Sequence, residues 1–313
     1  MKSFLLTALC SLIFYSCKPY KQYIDVREGQ ITYGDFRQDQ KSFNSSDGAI
    51  AYIDRGTSDK VILLLHGIPT SGWLYRKMID PLVDQGYRVI APDMLGFGSS
   101  DNPKGYEVYS KENHAKRLLE LMDHLNIKTW THTMHDAGGI WTWELIKKDP
   151  TRIKKLVILN TVIYKEGFQP PIKMKKGFFA QTAMWGYRNG VTTNALLEGL
   201  FIAGLNDENR ANLNKTDIEG YRTPLREGKT RGMYYFFTRS SHGIPNYQTT
   251  LQSLDLPVTV VWGNFDDMLV WKEQADQVTK DLKIKTENIH IIDGKHFIQE
   301  GFYEDILKAI KSL

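Results

Sequence analysis

Short apolar runs alternate with helix-period segments along most of this chain, and that alternation constrains the fold more than any other feature. The runs AIAYIDRG (49–56), VILLLHG (61–67), YRVIAPD (87–93), TWTHTMHD (129–136), KLVILN (155–160), LPVTVVWG (256–263) and NIHIID (288–293) read as strands. GWLYRKMIDPLVDQG (72–86), KENHAKRLLELMDHLN (111–126), GGIWTWELIKKDP (138–150) and WKEQADQVTKDL (271–282) read as helices, the third stopped at Pro150, and FYEDILKAIKSL closes the chain. Strand–helix–strand units pack as right-handed crossovers. The series therefore predicts an α/β fold, a doubly wound and mostly parallel sheet with helices on both faces. VILLL lacks alternation, as expected of a strand buried on both sides. TWTHTMHD is more polar than a central strand of such a sheet is expected to be.

The alternation breaks between 161 and 250, where aromatics, glycines and lysines accumulate with several helical stretches. This block reads as an α-helical cap inserted into a core made of 49–160 and 251–313. Residues 18–48 are polar and read as a tether followed by an edge hairpin. Forty basic against 36 acidic residues leave a net charge of +4, too weak and dispersed for a nucleic-acid surface. IKMKKG (172–177) reads as a solvated face. No metal-ligand cluster, dinucleotide fingerprint or phosphate loop occurs, so no cofactor is expected.

The first residues, MKSFLLTALCSLIFYSC, place Lys2 before an apolar run too short to span a bilayer. This is the layout of an export signal. Its Ser-Cys ending resembles the lipobox of bacterial lipoproteins. That resemblance implies cleavage before Cys17, lipid attachment on Cys17 and anchorage at the cell envelope. The chain's other cysteine, Cys10, would leave with the signal. An ordinary signal cleaved near Tyr20, giving a secreted or periplasmic protein, is the alternative.

In open parallel sheets reactive groups gather past the carboxyl ends of strands. His66, Asp136, Asp266 and His296 fall there, and the order acid, acid, His of the last three matches that of a nucleophile, acid, His triad. Asp136 alone could be a helix N-cap. Asp266 has Asp267 as a neighbour and fallback. His66 and His135 read as braces of loop and elbow, and Asp93 as a loop anchor. Ser99, in GFGSS, follows the wrong strand to be a nucleophile.

HGIPTSGWLYR (66–76), VIAPDMLGFGSSDNP (89–103), HDAGG (135–139) and GKHFIQE (294–300) together resemble the α/β-hydrolase branch of haloalkane dehalogenases and epoxide hydrolases. The resemblance implies that Asp136 attacks a saturated carbon, forming an ester whose acyl carbon belongs to the enzyme. His296 would then activate water, Asp266 would orient His296, and the Ile68 and Ala137 amides would form the oxyanion hole. Ala137 and Ile68 stand where dehalogenases carry their halide-binding Trp and, in some, Asn. Trp185 could supply one donor. Epoxide hydrolases protonate the alkoxide with cap tyrosines, for which Tyr234, Tyr235 and Tyr164 are the candidates here. Met134 is more dehalogenase-like. The resulting expectation is an epoxide hydrolase-like enzyme with an apolar pocket for a small hydrophobic substrate. A haloalkane dehalogenase with a rearranged halide site and a non-catalytic, lipid-anchored binding protein are the alternatives. A serine-free esterase finds no nucleophile.

Overall fold

The computed structural model describes residues 29–170, 173–190, 193, 197 and 204–313. The signal, Cys17 and the start of the tether lie outside these residues. Eight strands form one sheet in the order β1-β2-β4-β3-β5-β6-β7-β8. They are β1 (Lys41–Ser45), β2 (Gly48–Arg55), β3 (Val61–Leu65), β4 (Arg88–Pro92), β5 (Trp130–Asp136), β6 (Ile153–Thr161), β7 (Val258–Gly263) and β8 (Ile289–Ile292). β2 runs antiparallel to β1 and β4, and every other pairing is parallel. The sheet is therefore doubly wound and mostly parallel, as the alternation predicts.

Side chains two apart in a strand share a face. Leu63, Leu65, Leu156, Ile158 and Val260 accordingly enter one apolar core. Ile62, Leu64, Val157, Leu159 and Val261 enter the other. The first core is closed by α3 (Lys111–His124) and α4 (Gly138–Lys148), the second by α2 (Arg76–Asp84) and the C-terminal α12 (Tyr303–Ser312). β5 is buried at all seven positions despite its polarity. Thr133 Oγ1 and His135 Nδ1 have no partner among the described residues, but others of its polar groups find theirs inside: Trp130 Nε1 donates to His132 Nδ1 at 3.0 Å, and His132 Nε2 lies 2.8 Å from Thr142 Oγ1 on α4. Internal bonding of this kind removes the cost of burying polar groups in a central strand.

The expected tether departs from the prediction. Within 18–48, α1 (Tyr33–Gln38) precedes the β1–β2 hairpin, started by a capping box between Thr32 and Asp35. Tyr33 and Phe36 set their ring edges against Trp73, at 5.3 and 5.2 Å. Burial of this apolar pair is what turns a polar-looking segment into structure. The expected helix 72–86 opens as a 3₁₀ turn, Gly72–Tyr75, capped by the Ser71 side chain, which accepts the Trp73 N–H, while Asp93 accepts the Gly72 N–H at 2.7 Å.

The cap contains α5 (Phe178–Arg188), α6 (Asp207–Ala211), α7 (Lys215–Arg226), α8 (Arg231–Thr238) and α9 (Gln248–Gln252). A buried ionic knot fastens it to the core. Arg76 of α2 forms a two-pronged pair with Glu300, both contacts at 2.8 Å, and also binds Asp217 of α7. Tyr221 of α7 donates to the same Glu300. Burial alone would raise the Glu300 pKa, but the Arg76 and Lys77 charges reverse this and hold it well below the ordinary range. Beyond α10 (Ala275–Asp281), Glu300 belongs to α11 (Ile298–Gly301), just after His296, so the knot also steadies the loop carrying that imidazole.

Replacing Arg76 by Met is expected to leave buried Asp217 without its cation and Glu300 with Lys77 alone, and to destabilise the fold by about 3–5 kcal/mol. Denaturant midpoints of the two proteins measure it; an unchanged midpoint would remove the knot from the account of cap attachment.

Candidate active site

At the carboxyl end of β5 the chain turns sharply into α4, and Asp136 sits at the turn with φ +52°. This left-handed conformation is uncommon for a residue with a Cβ, though Asp tolerates it better than most. It swings the carboxylate away from the strand and over Gly67. The fit is close: a Cβ on Gly67 would come within 2.3 Å of Asp136 Oδ1. A Cβ on Gly139 would meet Thr161 Oγ1 at 2.4 Å and the Val162 carbonyl at 2.6 Å. Gly67 is thus explained by close approach of the elbow, and Gly139 by close approach of the end of β6.

The two carboxylate oxygens face different surroundings. Oδ1 accepts the Ile68 N–H at 2.7 Å. Oδ2 lies 3.6 Å from His296 Nε2, beyond hydrogen-bond distance. Burial raises the Asp136 pKa above the ordinary carboxylate value; the positive His296 and the Ile68 and Ala137 amides oppose that rise. The Asp136 backbone carbonyl is fixed by Thr161 Oγ1 at 2.7 Å and the Val162 N–H at 3.1 Å.

His296 Nδ1 is 2.8 Å from Asp266 Oδ2. Burial pulls the imidazole pKa down, but the Asp266 charge and hydrogen bond, aided by Asp136, carry it above its ordinary value. Asp266 is itself held ionised. Burial raises its pKa, and His296, Asn160 and the Leu269 amide more than offset that. Its Oδ1 accepts the Met268 and Leu269 amides at 2.9 and 3.0 Å. Asp267 is exposed and points elsewhere, so the geometry selects Asp266.

The bracing residues fall where the sequence suggests. His66 Nδ1 donates to the Gly67 carbonyl at 2.6 Å, and Nε2 accepts the Met94 N–H at 2.9 Å. Burial lowers its pKa to about 4, so it stays neutral and shapes the loop that presents the Ile68 amide. His135 Nε2 donates to the His296 carbonyl at 2.9 Å, bracing the neighbouring loop rather than the elbow alone. Asp93 anchors its loop through Gly72, Ser99 and Gln40. Asn160 was not singled out in the sequence. It donates to Asp266 Oδ2 at 2.7 Å and accepts the Gly263 N–H at 2.9 Å, holding the acid from the end of β6. A polar residue closing the apolar run KLVIL was its only signal.

Asp136 and His296 are the titratable residues of a mostly apolar pocket. Its walls include Ile68, Phe168, Phe236, Phe237, Met268 and Leu269. The tyrosine candidates need correction, because none lines this pocket. Tyr164 donates to Asp281 at 2.7 Å, and Tyr235 reaches Glu107 at 3.4 Å. Tyr234 stacks on Tyr106 at 4.4 Å, its hydroxyl without a partner. Helical geometry explains the outcome. At about 100° per residue, α8 sends Phe236 and Phe237 to one side and the two tyrosines to others. Trp185 is also displaced from its suggested role; it is 58% exposed on the cap surface. Among the described residues no group of three or more His, Cys, Asp or Glu side chains is arranged to hold a metal ion.

The sequence profile of the alpha/beta hydrolase fold matches residues 60–302. The chain belongs to that family. It is 38% identical over 139 residues to a haloalkane dehalogenase of Mycolicibacterium paratuberculosis, a match covering 44% of each chain. Less than half of that relative's length is thus matched. A cis-3-alkyl-4-alkyloxetan-2-one decarboxylase of Shewanella oneidensis is 27% identical over 297 residues, 87% of each chain. Among solved structures, haloalkane dehalogenase DpaA from Paraglaciecola agarilytica NO2 superposes with a TM-score of 0.68 at 26% identity, over 88% of this chain and 92% of its own.

Gly67→Ala is expected to fold, to displace the Asp136 carboxylate, and to lower kcat by about a hundredfold on any substrate found. Steady-state kinetics beside a thermal unfolding scan checks this; full activity would show that the close approach is not needed.

Proposed function

We propose that this protein hydrolyses a small apolar electrophile, an epoxide first among them, through a transient ester on Asp136. One observation carries the reading: the elbow residue is a carboxylate, with Oδ1 held by an amide and Oδ2 open to an apolar pocket beside His296. Attack by Oδ2 on a ring carbon breaks that carbon's bond to the ring oxygen. Oδ1 then becomes the ester carbonyl oxygen, already seated on the Ile68 N–H. Water activated by His296 attacks the ester carbon, and the oxyanion forms where the Ile68 and Ala137 amides point.

No tyrosine lines the described pocket, so the alkoxide proton must come from elsewhere. His296 is the one side-chain acid there, and its raised pKa suits the task. As an imidazolium it protonates the alkoxide and becomes neutral. Neutral, it takes a proton from the attacking water. The tetrahedral intermediate collapses to the diol and free Asp136, and both residues end as they began. A haloalkane fits less well, since among the described residues neither an indole N–H nor an Asn lines the pocket to receive the halide.

The nearly full-length similarity to an oxetan-2-one decarboxylase favours a second reading. Asp136 attack on the ring carbon bearing oxygen would release a carboxylate, which needs no acid. Loss of carbon dioxide with departure of Asp136 would then give an alkene, with no water consumed.

Asp136→Ala is expected to abolish turnover of either class. His296→Gln, with a haloalkane as a trapping electrophile that needs no acid, is expected to accumulate the ester. Intact-protein mass spectrometry would show the added alkyl group, and normal turnover would remove His296 from the hydrolytic step. Diol from an epoxide supports the first reading, whereas alkene and carbon dioxide from an oxetanone support the second.

For an epoxide, kcat/KM is expected to fall as pH rises through the His296 pKa, because the acid form is lost. Asp266→Asn removes the charge that raises this pKa and should move the fall to lower pH. An unmoved alkaline limb would dissociate His296 from ring opening.

A further inference from the structure

Three of the five exposed large apolar side chains among the described residues cluster on α5. Phe178 is 76% exposed, Phe179 82% and Trp185 58%; the other two, Phe265 and Ile291, lie elsewhere. Phe178 and Trp185 are seven residues apart, so they share one helix face, with Phe179 packed edge-on against Phe178 at 6.0 Å. The opposite face, through Ala180, Met184 and Tyr187, is buried in the cap.

Cations surround these rings. Lys173, Lys175 and Lys176 precede the helix and Arg188 ends it, all exposed. No acidic residue occurs from 167 to 197, so this stretch carries four positive charges and no negative one. Exposed aromatics beside a stretch with cations and no acids match the composition of surfaces that lie in the headgroup region of anionic bilayers.

The patch is also placed to serve the pocket. Phe168 lines the pocket, as does Pro170, three residues before Lys173. The Met174 N–H donates to the carbonyl of pocket-lining Phe237 at 3.3 Å. We infer that α5 with its preceding lysines is a docking face for an anionic lipid bilayer, which holds the pocket mouth near apolar substrate dissolved in the membrane. A second copy of this chain suits the face less well. A twofold pairing would set the same four cations against each other.

The inference is independent of any lipid on Cys17 and of the reaction at Asp136. Its test uses the full chain carrying Cys17→Ala, so that no acyl group can attach, and reads co-sedimentation with vesicles. The parent is expected to bind phosphatidylglycerol vesicles and to leave phosphatidylcholine vesicles largely unbound. Phe178→Ser with Phe179→Ser and Trp185→Ser, and separately Lys173→Glu with Lys175→Glu and Lys176→Glu, should each weaken binding by about tenfold or more. Thermal midpoints equal to the parent's check that both variants fold; all the altered side chains are exposed. Failure of the parent to bind phosphatidylglycerol overturns the inference. So does equal binding by the parent and both variants, which would place attachment elsewhere. Self-association of the parent that is lost in the aromatic variant, without vesicle binding, would assign the face to a second copy and also overturn it.

Discussion

A carboxylate buried against an apolar pocket is costly unless fixed dipoles and charges replace its water. Asp136 meets that requirement in part, with the Ile68 amide on Oδ1 and the His296 imidazole 3.6 Å from Oδ2, and burial still leaves its pKa raised. Much else in the molecule can be traced to holding those groups in place. The elbow takes a left-handed conformation to aim the carboxylate, Gly67 makes room for it, and neutral His66 shapes the loop whose amide it meets.

The same constraint extends outward from His296. Asp266 fixes one ring nitrogen, and is itself held by Asn160 and two loop amides. His135 secures the His296 backbone, and the Arg76–Glu300 knot secures the short helix after it. The knot joins α2, α7 and α11, so cap, core and imidazole loop are set relative to one another by one buried guanidinium. A charged tie of this sort contributes little net stability against a well-packed apolar substitute, but losing one partner is severe.

The fold was legible because its signals are local and repeated. Short continuous apolar runs and helices with period 3.6 need no tertiary information, and the elbow, HGIP and GKHF segments sit at fixed places on such a sheet. The polar run TWTHTMHD reads ambiguously until His132 and Thr142 are seen to bond each other across a strand–helix contact. The segment before β1 hides a helix because its stability comes from a distant residue, Trp73. The pocket walls were the least legible part. GMYYFFTRS offers two tyrosines and two phenylalanines in succession, and only the rotation of α8 decides which pair faces Asp136. Asn160 is silent in the sequence for a related reason: its partners, Asp266 and Gly263, belong to the segment that follows the cap.

The central claim is that the product's new oxygen comes first from Asp136 and only afterwards from water. A single turnover in heavy-oxygen water, with enzyme in excess over an epoxide that it opens, tests this most directly. Ester formation predicts a diol with no heavy oxygen and a heavy label on the peptide carrying Asp136. A labelled diol with an unlabelled Asp136 peptide would mean that water attacks the substrate directly, and would contradict the account.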